Sequence, residues 1–91
     1  MEPVNNDSWP DFFERFNSRH EDFIRHLSKS FPNLKTAEFR VCCFLRAGYT
    51  TRQIAEISGR TLRAVETTRY RLRKKMPLKR HEDLALFLMK L

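Results

Sequence analysis

Glycine is almost missing from this chain: Gly48 and Gly59 stand alone among 91 residues. Small strand-rich domains need more turn residues than that, and no stretch alternates cleanly between apolar and polar types, so the chain reads as all-helical. Cysteine is as scarce. Cys42 and Cys43 are adjacent, lie in an apolar run and have no third cysteine to pair with. No disulfide framework and no Cys/His zinc ladder is expected, and the two thiols should pack as small hydrophobes in a reducing compartment. No run of 18 apolar residues occurs, so nothing here is expected to span a bilayer. Acids among the first twenty residues, without an apolar core, argue against a signal peptide. His20, His26 and His81 are scattered, and no serine sits in a glycine elbow. Catalysis, a metal, a cofactor and a small-molecule substrate are therefore not expected. The expected location is cytoplasmic, as a free protein or as a segment of a larger, membrane-anchored one.

Acidic residues are also missing from one particular window. Residues Arg60 to Arg80 hold nine bases and a single acid, Glu66, a local charge of +8 in a chain whose net charge is +7. Residues 1–30 hold four bases and six acids, a local charge of −2. Charge concentrated in this way is the electrostatic footprint of a nucleic-acid surface; the alternatives are a merely solvated basic face or contact with an acidic membrane.

Ninety-one residues suit one small domain with a thin core, which eight Phe and one Trp would help to fill. Met1 to Asp7 reads as a disordered start. Ser8 can cap a helix whose first turn holds Pro10. Trp9, Phe12, Phe13 and Phe16 form its apolar stripe, and Asn17 to Arg19 is expected to break or bend it. Glu21 to Lys29 is a second helical stretch, stopped by Phe31-Pro32-Asn33. The aromatic set from Trp9 to Phe31 covers the core, offers a dimer or interdomain surface, or does both. Thr36 to Ala47 carries apolar residues on too many sides for a narrow stripe and should be the most central helix. Gly48 is a left-handed cap, and Thr50 with Gln53 forms a capping box for the next helix.

The informative constellation comes next. A short helix, about Thr51 to Ile57, is followed by a break at Ser58-Gly59-Arg60. A longer basic helix, about Leu62 to Lys75, then starts with Thr61 as its cap and is closed by Pro77. This is the layout of a helix-turn-helix. Val65, Thr68, Leu72 and Met76 recur at spacings of three to four and mark the inward side. Arg63, Glu66, Thr67 and Tyr70 then lie across the outer face, and Arg69, Arg73 and Lys74 extend a positive flank. Arg71 and Lys75 fall nearer the boundary, where long stems reach phosphate. Glu66, Thr67 and Tyr70 are the candidates for reading base edges, and the arginines and lysines for meeting phosphates. Glu66 has a second reading, an ion pair with Arg63 or Arg69. The last stretch, Arg80 to Leu91, puts Leu84, Phe87, Leu88 and Leu91 on one face, with Leu86 and Met89 less well placed.

The ungapped stretch "TAEFRVCCFLRAGYTTRQIAEISGRTLRAVETTRYRLRKKM" resembles the LuxR/GerE-type DNA-binding domain of bacterial transcription regulators. Glu38 falls on that family's acid in its first helix, Gly48 on its glycine and Ile54-Ala55 on its "IA" pair. Val65 falls on the valine of its recognition helix, and Lys75-Met76 on the end of that helix. The pattern is similar to a variant found at the ends of Bacteroidetes regulators. The resemblance implies an all-α fold: a four-helix LuxR-type helix-turn-helix domain over residues 34–91, preceded by one or two aromatic-rich helices in an arm over residues 1–33. It implies base contacts by Glu66, Thr67 and Tyr70, and phosphate contacts near Arg63, Ala64 and Lys75. Thr50, Thr51, Arg69, Arg71, Arg73 and Lys74 are counted with those phosphate contacts. The family often dimerises through its last helix, which implies that role for Leu84, Phe87, Leu88 and Leu91. The expected partner is double-stranded DNA. A homodimer through the C-terminal helix or the aromatic arm, and contact with RNA polymerase or a sensor domain, are the further partner options. A helix-turn-helix module that binds protein, with weak DNA affinity, is the alternative function.

Overall fold

The computed structural model describes residues 8–91 and, among them, six helices and no strand. They are α1 (Ser8–Arg19), α2 (Glu21–Ser30), α3 (Thr36–Arg46), α4 (Thr51–Ser58), α5 (Leu62–Lys75) and α6 (Leu84–Met89). The expectation for residues 1–7 lies outside the described residues.

Helix α3 is the hub because its sequence is apolar on every side. Val41, Cys42, Cys43, Phe44 and Leu45 are buried in succession, and α4, α5 and α6 all pack on this helix. From α4 the core takes Ile54 and Ala55, from α5 Val65 and Leu72, and from α6 Leu84 and Leu88; Met76 joins from just past α5. Phe12, Phe16, Phe23 and Leu27 of the first two helices belong to the same apolar cluster. Phe12 meets Phe44 at a ring separation of 4.5 Å and Tyr49 at 5.6 Å. The aromatic arm covers the core, and Trp9, Phe13 and Phe31 stay half-buried against it.

Helix α1 does not end where expected. Asn17, Ser18 and Arg19 remain helical, and the break falls on His20, whose φ of −131° interrupts the path between α1 and α2. Phe16 and Phe23 flank this joint and are both buried, so packing determines the angle. Ser8 also differs from its expected role. Its hydroxyl donates to the carbonyl of Ile57 at 2.6 Å, tying the start of α1 to the end of α4.

The two glycines do the same work twice. Gly48 has φ +94° and Gly59 φ +70°, both left-handed. After α3, the amide of Tyr49 donates to Phe44 O at 3.0 Å and that of Gly48 to Leu45 O at 3.0 Å. After α4, the amide of Arg60 donates to Ala55 O at 3.1 Å and that of Gly59 to Glu56 O at 3.4 Å. Both are Schellman closures, which satisfy carbonyls that a helix end otherwise leaves unpaired. The first adds an apolar contact between Tyr49 and Phe44; the second ends on a charged residue, Arg60.

Helix starts follow their capping residues. Thr50 accepts from Gln53 N at 3.1 Å and its amide donates to Gln53 Oε1 at 2.9 Å, the reciprocal pair expected. Thr61 accepts from Ala64 N at 3.0 Å. Asp83 accepts from Leu86 N, so α6 begins at Leu84 and is shorter than the Arg80–Leu91 stretch read from the sequence.

Candidate nucleic-acid interface

Helix α5 shows its inward side plainly: Val65, Thr68 and Leu72 are buried, with Met76 just beyond its end. The one polar member, Thr68, donates its hydroxyl to Ala64 O at 3.1 Å, so the core receives its methyl without an unpaired hydroxyl. At about 100° per residue, the side opposite that seam is a single stripe: Arg63, Thr67, Tyr70 and Lys74. All four are exposed, Tyr70 at 60%. Glu66 borders the stripe on one side and Arg71 on the other, and both are exposed. The Lys74 ammonium lies over the Tyr70 ring, 5.0 Å from its centroid, which holds the ring against the helix and leaves its other face open.

The ion pairs among the described residues are Arg25–Asp22 and Lys75–Glu38. Glu66 is in neither, so the intrahelical pair with Arg63 or Arg69 is not formed. Arg63, Arg71 and Lys74 carry exposed charge without a carboxylate partner among those residues, which makes this face a concentrated positive surface.

Several expected phosphate ligands have other duties. Arg73 is half-buried, and its guanidinium donates to Glu82 O at 2.6 Å, Lys79 O at 3.0 Å and Arg80 O at 3.1 Å. It is a clamp on the connection between α5 and α6, because a guanidinium fork can gather several carbonyls at once; of the three, Lys79 O also accepts from the Glu82 amide at 3.0 Å. The same connection is held by Lys79 N donating to Glu82 Oε1 at 2.8 Å. Lys75 turns away from the stripe: its Nζ is 2.6 Å from Glu38 Oε1 and 3.3 Å from Asn33 O. Ala64 has no polar side chain, its amide is taken by Thr61 and its carbonyl by Thr68. Arg69 is half-buried on the shoulder of the helix. At the start of α4, Thr50 is exposed and Thr51 half-buried. The Thr50 hydroxyl accepts from Gln53 and keeps its own proton available to an outside acceptor.

Glu38 is the residue that sequence reading underrated. Only 3% exposed, it accepts from the Lys35 amide at 2.8 Å as well as from Lys75. Burial works against its ionisation, but the hydrogen bonds from Lys75 and the Lys35 amide outweigh it and hold the carboxyl below its ordinary range. Lys35 itself offers no acceptor, so only half a capping box forms at α3. Burial pushes the Cys42 thiol up to about 12, with the Glu38 charge adding to it, and burial likewise raises that of Cys43. Both thiols are free and inert.

The C-terminal helix corrects another expectation. Leu84 and Leu88 are at most 1% exposed, Phe87 packs against Phe31 at 6.3 Å, and Leu91 rests on the core. Leu84 and Leu88 are spent on the core and offer no surface to a partner, whereas Phe87 and Leu91 remain half-buried. The apolar side chains that α6 exposes are Leu86 and Met89.

Compared with protein-family models, curated proteins and solved structures, the chain matches none.

Proposed function

We propose that the protein binds double-stranded DNA through α5, as the DNA-binding part of a bacterial transcription regulator of the LuxR type that the sequence resembles. The observation that carries this reading is the Arg63–Thr67–Tyr70–Lys74 stripe: four exposed side chains on the side of α5 directly opposite its buried seam. It is supported by the short capped α4 and the glycine turn that precede α5. A helix of this width fits the major groove of B-form DNA, with the N-terminal half nearest the bases. Arg63, Arg71 and Lys74 then meet phosphates, joined by the Thr50 hydroxyl. Thr67, Tyr70 and Glu66 are left for base edges, where a carboxylate can accept from a cytosine amino group and a threonine methyl can touch a thymine methyl.

The test is fluorescence anisotropy with random-sequence and selected duplexes at two salt concentrations. Binding through phosphates gives a logarithmic fall in affinity with salt, with a slope of about −0.9 per phosphate contacted. Duplexes recovered from a random pool should converge on a shared sequence. No attraction to duplex at low ionic strength overturns the reading and favours a protein-binding module instead.

A further inference from the structure

A second site lies on the far side of α4, where α1, α3 and the end of α4 meet. A cavity of about 280 Å³ opens there. Its inner wall is apolar: Trp9, Ala37, Val41 and Phe44. Its lining includes two exposed arginines, Arg40 and Arg60, and no carboxylate is among the described residues that line it. Neither arginine belongs to an ion pair among the described residues. Arg40 is held in place, because its guanidinium carbon stands 5.0 Å from the centre of the Trp9 ring, whose neighbour Phe13 stacks on it at 5.0 Å. Of the three hydroxyls in the lining, that of Ser8 donates to Ile57 O and that of Ser58 to Ile54 O, while that of Thr36 has no hydrogen bond among the described residues.

We propose that this cavity binds a small amphipathic carboxylate, with its apolar body against Val41, Phe44 and Trp9 and its carboxylate between Arg40 and Arg60. The chemistry follows from the lining. Apolar walls with a few placed charged groups are how small-molecule sites combine affinity with orientation. Two guanidinium groups without a countercharge among the described residues select an anion, and a guanidinium fork matches the planar geometry of a carboxylate. A neutral ligand of the same shape would leave both arginines without a partner, and a fully polar anion would gain nothing from the walls. A ligand here touches the start of α1, the middle of α3 and Arg60 in the turn before α5. It would therefore brace the aromatic arm against the turn, and bound protein should melt at a higher temperature. This inference does not rest on DNA binding by α5.

Trp9 is the chain's single tryptophan, so its emission reports directly on the site. The probe is octanoate, titrated against the full chain, with octanamide and acetate as the neutral and the fully polar comparison. A saturable change in Trp9 emission with octanoate, weaker by on the order of ten-fold with octanamide and absent with acetate, is the expected result. Arg40→Gln and Arg60→Gln should each weaken octanoate by a similar factor. Because loss of Arg40 also removes its contact with Trp9, a third variant, Ala37→Met, fills the cavity from the wall and leaves both arginines in place. It should abolish the response while the far-UV circular dichroism is unchanged. Equal binding of octanamide, unchanged octanoate affinity in both arginine variants, or no saturable response from the wild-type chain overturns the proposal.

Discussion

Glu38 and Lys75 are 37 positions apart in the chain, and their side chains meet at 2.6 Å. The contact joins the first turn of α3 to the last turn of α5, so the hub and the basic helix are linked at one end by charge and along their length by apolar packing. It also accounts for a buried carboxylate in a thin core: Glu38 has two hydrogen-bond donors, and Lys75 keeps 34% of its side chain in solvent.

Removing that carboxylate should cost stability. Glu38→Ala leaves the Lys35 amide and the Lys75 ammonium without their acceptor, a loss of about 2 kcal/mol once the partial exposure of Lys75 is allowed for. Urea denaturation of the two proteins measures it. The pH dependence carries a second signature. The folded carboxyl titrates below its unfolded value, so its contribution is fully present above the ordinary carboxylate range and is lost as pH falls through the folded value. Glu38→Gln should therefore show a flatter acid limb in a plot of stability against pH than the parent protein.

Two arginines on α5 should behave in opposite ways. Arg63 is exposed and free of an ion pair among the described residues, so Arg63→Ala should leave stability within about 0.5 kcal/mol and reduce the salt slope of duplex binding by about 1. Arg73 holds three carbonyls of the α5–α6 connection, so Arg73→Ala should destabilise by about 2 kcal/mol. Its α6 amides should exchange hydrogen faster, because the clamp that seats that helix is gone. Denaturation, hydrogen exchange and duplex titration on both variants separate the two roles.

At Gly48 the expected penalty is torsional. A Cβ built there would meet nothing within 4 Å, yet φ is +94°. Gly48→Ala should cost about 1 kcal/mol from backbone strain without any repacking of the core, and thermal denaturation with unchanged near-UV circular dichroism would show it.

The adjacent thiols should resist alkylation in the folded protein. Burial keeps Cys42 and Cys43 protonated at neutral pH, and the thiolate is the reactive form. Iodoacetamide should label neither at pH 7.5 until urea unfolds the chain, with both then reacting together; mass spectrometry over a denaturant series counts the adducts.

Much of the fold was legible because its signals are local. The capping hydroxyls of Thr50 and Thr61 and the left-handed glycines at 48 and 59 mark helix ends by their own chemistry, and those ends fall within a residue or so of where they read. The spacing of Val65, Thr68 and Leu72 placed the buried side of α5 and, by geometry, the stripe opposite it. Apart from the late start of α6 at its Asp83 cap, the misreadings are non-local. Asn17 to Arg19 look like helix breakers, but packing of Phe16 and Phe23 moved the break to His20. Arg73 and Lys75 look like their neighbours in a basic run, and no pattern within that run reveals that one reaches carbonyls of the next connection and the other a carboxylate on α3.

Sequence alone determined that this chain is helical, where the glycine turns after α3 and α4 fall and which side of its basic helix is apolar, because each of these depends on residues within a turn or two of one another. Tertiary structure decided which charges remain free. A lysine or arginine is available to a partner only if no carbonyl or carboxylate elsewhere in the fold comes within hydrogen-bonding reach, and that distance is settled by how α3, α5 and α6 pack together. The same packing turned the face of Leu84 and Leu88, which their spacing already grouped, into the core and left Leu86 and Met89 outside; spacing groups residues on a face but does not say what covers it.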